Sequence, residues 1–259
     1  MSWIDEKTLW VADRTRPLVT VASVLPLNLL HDPLGQEGLT YLTSQMMMRG
    51  AGDYDRASLH EELDVLGAQL HVSTSRNGTT IAGDVLSRNL DAYQELVATV
   101  LTRPRFDEEE FEKLKRQTLA EIAQVRDRDD ALGSRFFVRE LFEDHPYGRP
   151  SMGTEASLAQ VELPHVIAWY ERHIAGETLV HAGSGDLSED RMRGFIAGTV
   201  GLLEPGETSA PEVPAARPIP GQHVTLVDKP GRSQTQVFMG QPTIPATHPD
   251  YIPLLVGNT

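Results

Sequence analysis

The stretch from Gly38 to Ala51, reading GLTYLTSQMMMRGA, restricts the fold of this chain more than any other segment. Leu39, Leu42 and Met46 recur at i, i+3 and i+7, which predicts an amphipathic helix with one buried stripe, entered after Gly38 and left near Gly50. Tyr41, Ser44 and Gln45 share a different face of the same helix, spaced i, i+3, i+4.

That spacing would let two histidines close on one metal ion while a glutamate between them reaches the bound water, in the order His-x-x-Glu-His. With its leading Gly-Leu and its trailing Met-x-x-basic-Gly, the segment resembles the inverted zinc motif of the pitrilysin or insulinase metallopeptidases, the inverzincins, which include the mitochondrial processing peptidases. Here the motif reads Tyr41-Leu42-Thr43-Ser44-Gln45. Zinc takes imidazole, thiolate or carboxylate, so a phenol titrating near about 10 and a neutral amide are poor ligands at neutral pH. Ser44 cannot replace a carboxylate as general base.

The resemblance runs almost end to end. It implies a distal metal ligand on a later helix, and Glu121 stands at the matching distance after Gln45. Three-and-four spacing groups Phe111, Leu114, Thr118, Glu121 and Val125 on one stripe of a helix from about Asp107 to Arg126, so Glu121 is expected to face apolar neighbours. The runs Leu101-Thr102-Arg103-Pro104-Arg105-Phe106, His145 to Pro150 and Gly153-Thr154-Glu155 also resemble those of the family's bacterial members, and they speak for fold rather than activity.

Strand-like runs at Thr8 to Ala12 and Leu18 to Leu25 flank a turn-like Asp13 to Pro17. A helix at Ser58 to Leu66 ends at Gly67, and a hairpin follows, Gln69 to Ser75 and Thr79 to Leu86 around Asn77-Gly78. Helices are expected near Leu90 to Thr102, Asp107 to Arg126, Ala131 to Phe142 and Leu163 to His173, then a strand at Leu179 to Gly183. Strands in hairpins with helices gathered after them read as α+β. The resemblance sharpens this to a pitrilysin-type half-shell, an antiparallel-rich sheet with helices packed on one face.

Pro205, Pro211, Pro214, Pro218 and Pro220 mark residues 204–222 as an extended linker, leaving 1–203 as an N-terminal domain. Beyond it, Val224-Thr225-Leu226-Val227-Asp228-Lys229 echoes Leu9 to Arg14, and Thr235 echoes Thr20 at the same offset. Since pitrilysin-type chains are built from homologous halves, 223–259 is expected to be the opening strands of a second, truncated domain.

Composition narrows the partners. A formal net charge of −14 over 259 residues argues against nucleic acid and against anionic membrane surfaces. The most apolar stretch, Val19 to Leu30, is too short to span a bilayer and contains Pro26. With no cysteine, disulfides and thiolate zinc sites are excluded while the compartment stays open. Met1 to Glu6 lacks the basic start of a signal peptide, so the chain reads as cytoplasmic, or periplasmic if a leader was removed.

Blander readings cover the remaining signals. His60-Glu61 only begins to resemble a His-Glu-x-x-His helix, His145 reads as a loop or cap residue, Met46-Met47-Met48 as core filling, and Asp107 to Glu110 as helix-start charge. The resemblance then implies a pseudopeptidase without zinc or catalytic residue, Tyr41, Ser44 and Gln45 being vestigial positions, which pairs with a homologous active subunit or with itself around peptide substrates. The rivals are an active zinc metalloendopeptidase with an unorthodox site including Glu121, and a peptide-binding or self-associating scaffold without hydrolysis.

Overall fold

A computed structural model describes residues 2–3, 5–175, 179–204, 206, 213–217 and 220–258. The chain divides into two compact units, residues 1–122 with 150–212, and residues 123–149 with 213–259.

The first unit is a mixed sheet under a layer of helices. Its strands are β1 (Ser2–Trp3), β2 (Thr8–Ala12) and β3 (Leu18–Leu25). Helix α1 (Leu39–Met46), the short β4 (Gly50–Ala51) and β5 (Tyr54–Asp55) and helix α2 (Arg56–Leu66) lead to the hairpin of β6 (Gln69–Thr74) and β7 (Thr79–Leu86). Helices α3 (Leu90–Thr102) and α4 (Glu108–Gln124) follow; after α5 (Asp129–Phe142) of the second unit come α6 (Glu155–Ala159), α7 (Leu163–His173), β8 (Val180–Gly185) and α8 (Glu189–Ala197). The order across the sheet is β1-β2-β8-β3-β7-β6.

Strands β2 and β3 are neighbours in sequence but not in the sheet. β8 lies between them, parallel to β2 and antiparallel to β3. A parallel pair cannot be closed by a tight turn, and here the crossover from β2 to β8 takes in the helical layer. Side chains alternate across the sheet as period two requires: Val19, Val21 and Leu25 of β3, Leu70 and Val72 of β6, and Ile81 and Val85 of β7 are buried on the helix side. The other face bears Thr20, Gln69, His71 and Ser73, all exposed. Leu39, Leu42 and Met46 of α1, Leu59 and Leu63 of α2, and Tyr93, Val97 and Val100 of α3 complete one continuous core with these strands.

In α4 the buried positions are Phe111, Leu114, Thr118 and Ile122, and Glu121 is exposed. The stripe expected from the sequence therefore needs correcting by one place. Ile122 continues the three-and-four spacing equally well from Thr118, and burying an isoleucine gains about 2 kcal/mol where a carboxylate would be penalised.

In the second unit, the Phe137 ring of α5 stacks on Phe238 at 6.1 Å, and the Asp129 carboxylate takes Lys229 at 2.5 Å and Arg232 at 3.3 Å. The strand echo at Val224 to Lys229 forms no strand among the described residues; Val224 and Leu226 are 93% and 87% exposed. Similar side-chain alternation does not suffice when no neighbouring chain supplies the ladder. A helix, α9 (Tyr251–Gly257), begins directly after His248-Pro249-Asp250. Of the expected linker, residues 205, 207–212, 218 and 219 lie outside the described residues.

Candidate functional site

Helix α1 owes its position to contacts at its start. Gly38, its N-cap, sits at φ 99°, where glycine avoids a Cβ penalty, and an added Cβ would approach the Met152 carbonyl oxygen to 2.7 Å. No side chain at Gly38 can cap the helix, so Asp32 does so from upstream. Its carboxylate accepts from the backbone N–H of Gly38 at 2.7 Å and of Thr40 at 2.8 Å, and from the Thr40 hydroxyl at 2.5 Å. Burial pushes the Asp32 carboxyl up to about 6, against the pull of these donors toward a lower value. Trp169 on α7 donates its indole N–H to the Thr40 oxygen at 3.0 Å, linking α7 to the same cap.

Past this cap α1 packs against α7 and β6 and is buried on most sides, including Thr40, Thr43 and Ser44. Tyr41 and Gln45, one turn apart, are half-buried at its open rim. The three residues expected to share one polar face thus divide. Ser44 turns inward, 1% exposed, and its hydroxyl donates to the Tyr41 carbonyl oxygen at 2.8 Å. A small hydroxyl can satisfy itself on its own helix in this way, so a polar residue need not mark a polar face.

Tyr41 faces α4. Its phenol is raised above its ordinary value by burial and then by the nearby charge of Glu121, with Thr118 and Arg49 acting the other way. Glu121 thus lies within electrostatic reach of Tyr41, although it is exposed and its carboxylate makes no hydrogen bond or ion pair among the described residues. Arg49, just past α1 and 8% exposed, fixes the other flank, reaching Glu110 at 3.1 Å and Gln117 at 2.6 Å on α4.

Gln45 faces the sheet. Its side-chain amide N–H donates to the main-chain carbonyl of Val72 at 3.1 Å. Strand β6 is the last of the sheet, and its register tells which groups are free. Beyond the strand end, the Ser75 N–H bonds the Gly78 carbonyl oxygen at 2.9 Å, so Ser73, His71 and Gln69 also turn their main-chain groups to β7. Leu70, Val72 and Thr74 turn theirs to the open edge. The close Thr74–Thr79 hydroxyl pair, 2.9 Å apart, marks the non-hydrogen-bonded position that this alternation requires. Gln45 thus occupies an acceptor on the free edge.

This donor set does not fit zinc. Tyr41 is a phenol whose surroundings disfavour its ionised form, the Gln45 amide is bonded to Val72, Ser44 is turned away, and Glu121 is an exposed carboxylate within electrostatic reach of Tyr41. Among the described residues no group of three or more His, Asp or Glu is arranged to hold a metal ion. His60 is exposed on α2, and His145 caps the short turn Pro146–Gly148, its ring nitrogen accepting from the Tyr147 N–H at 3.1 Å. Met46 and Met47 are buried in the core with Met48 packed against it. No helix among the described residues is long and apolar enough to cross a membrane.

Trp169 was not singled out by sequence reasoning; Arg49 entered only as the basic residue of the Met-x-x-basic-Gly frame, and Asp32 left a trace in the His31-Asp32-Pro33 cluster that recurs as His248-Pro249-Asp250.

A six-stranded mixed sheet covered by helices, with a helix of inverted-motif spacing against its edge strand, is the pitrilysin-type architecture. Residues 10–155 match the profile of insulinase, peptidase family M16, and residues 160–259 that of the peptidase M16 inactive domain. The chain belongs to this family. An uncharacterized zinc protease of Mycobacterium leprae is 28% identical over 206 residues, covering 78% of this chain and 46% of the relative. A probable mitochondrial-processing peptidase subunit beta of Arabidopsis thaliana is 22% identical, covering 86% of this chain and 42% of the relative. Among solved structures, the peptidase M16 inactive domain from Pseudomonas fluorescens superposes with a TM-score of 0.77 at 22% identity, over 82% of this chain and 51% of that one. Pitrilysin superposes at 0.69 and 21%, over 80% and 23%. The chain spans about half the length of the curated relatives it matches, or less.

Proposed function

We propose that this chain is a non-catalytic subunit of a pitrilysin-type zinc metallopeptidase, helping to enclose and position peptides for an active partner. The observation that carries this reading is the commitment of the two ligand positions to internal contacts. Gln45 is bonded to Val72, and Tyr41 is half-buried beside Thr118, its ionised form disfavoured by burial and then by the charge of Glu121. The scaffold around them is intact. Relatives named zinc protease make peptide the expected guest, and the name of a processing-peptidase subunit supports pairing with a homologous chain. The open edge of β6 beside α1 supports the positioning role, because an extended peptide can add to such an edge through its backbone. The same reading keeps residues 1–203 as one domain, 204–222 as linker and 223–259 as the start of a homologous second domain.

The test is reconstitution with a family member that carries an intact His-x-x-Glu-His helix. Co-expressed, the two chains are expected to elute together on size exclusion, across an interface of roughly 1,200 to 2,000 Å² or more, and the partner's peptide cleavage is expected to rise. Separate elution at micromolar concentration, with equal cleavage by the partner alone, refutes the subunit role and leaves the scaffold reading, a homodimer included.

A further inference from the structure

Building on the peptide-positioning reading, we propose that Gln45 is a latch on the β6 edge, standing where the backbone amide of a guest peptide must bond and raising the threshold for its entry. The argument begins with the register of β6. Only Leu70, Val72 and Thr74 present N–H and C=O groups to the open edge, and a guest strand must pair with these. Val72 is the central one of the three, so its carbonyl is used in any register that spans the edge.

The donor that already sits on that carbonyl is a primary amide, the side-chain equivalent of a peptide N–H. Leu70 and Thr74 keep main-chain groups without a hydrogen-bond partner among the described residues. The edge is therefore blocked at its centre and open at both sides. An edge with unpaired groups invites any passing strand, and one internal donor at its midpoint reduces that hazard without closing the site. Gln45 can serve here because it is half-buried at the rim of α1, while the rest of α1 is fixed by its cap and by α7.

When a guest adds, its N–H replaces the Gln45 amide on the Val72 oxygen and Gln45 returns to water. Binding to the wild-type chain therefore gives up one neutral hydrogen bond that a variant without the donor never had. Removing the donor should tighten binding by about 2- to 10-fold, the worth of one such bond. The effect should depend on a single amide of the guest, the one that meets Val72.

Fluorescence anisotropy on the full chain tests this with a fluorescein-labelled, end-capped ten-residue peptide of alternating Thr and Val with flanking Lys. Controls are the same peptide N-methylated at alternate amides, and a set in which single amides become esters, losing one N–H without added bulk. The expected result is tighter binding by Gln45→Met and Gln45→Ala than by wild type, a difference abolished by one ester position, and loss of binding on N-methylation. Equal or weaker binding by both variants, with N-methylation still abolishing binding, overturns the latch and leaves the edge as a peptide site. If no chain binds the peptide, or N-methylation changes nothing, the peptide-positioning reading falls and the latch with it.

Discussion

Asp32 offers the sharpest physical test of how α1 is held. Its carboxyl titrates at about 6 in the folded chain against an ordinary value of 3.8, and at about 1.4 kcal/mol per pH unit the gap amounts to about 3 kcal/mol. The sign is opposite to that of most structural carboxylates. Folding takes up a proton between these values, so the stabilising contribution of neutral Asp32 is fully present below pH 3.8 and is lost as pH rises through 6. At pH 7 the anion remains because three donors and the start of α1 hold it. The perturbation is Asp32→Asn, which keeps the shape and abolishes the titration. Urea unfolding of both proteins between pH 3.5 and 7.5 is the assay, since the difference between them cancels every other titrating group. Wild type is expected to lose about 3 kcal/mol relative to Asp32→Asn across that range, with the change centred between pH 4 and 6. A flat difference, or one of opposite sign, would falsify the argument, because it would mean that the three donors outweigh burial and hold the carboxyl at or below its ordinary value.

Two other predictions follow from the flanks of α1. Arg49→Met takes one cation from Glu110 and the guanidinium donor from Gln117; because Glu110 keeps Lys113 and Arg56, the expected loss is about 2 kcal/mol, below that of a fully isolated buried pair, and a urea midpoint unchanged relative to wild type refutes the clamp. Tyr41→His with Gln45→His, Glu121 retained, is expected to create zinc affinity measurable by competition with a chelating dye and lost on Glu121→Ala; a double variant as insensitive to zinc as wild type shows that Glu121 cannot reach the ion.

What the sequence revealed depended on whether a feature was set by local spacing. Leu90 to Thr102 and Leu163 to His173 were legible to the residue, and the Asn77-Gly78 hairpin nearly so, because periodicity and turn chemistry act within a few residues. The insertion of β8 between β2 and β3 was not, since nothing in either strand records a partner that arrives after the whole helical layer. The candidate site shows the same division. The i, i+4 relation of Tyr41 to Gln45 followed from helix geometry. The inward turn of Ser44 did not, because it depends on α7 and β6 covering α1 from both sides. Glu121 and Ile122 were exchanged because either completes the spacing from Thr118, and only the neighbouring core decides between them.

These differences show what holds α1 in place independently of positions 41 and 45. The buried stripe of Leu39, Leu42 and Met46, the Asp32 cap and the Trp169 bond fix α1 in place, and none of them uses position 41 or 45. Those two positions lie at the half-buried rim, where a side chain can be exchanged without leaving a cavity in the core. The polar atoms of a rim side chain still need partners, and the Gln45 amide finds one in the outward carbonyl of Val72. On the proposed function, the Gln45 contact therefore falls on the same edge at which a peptide would be held.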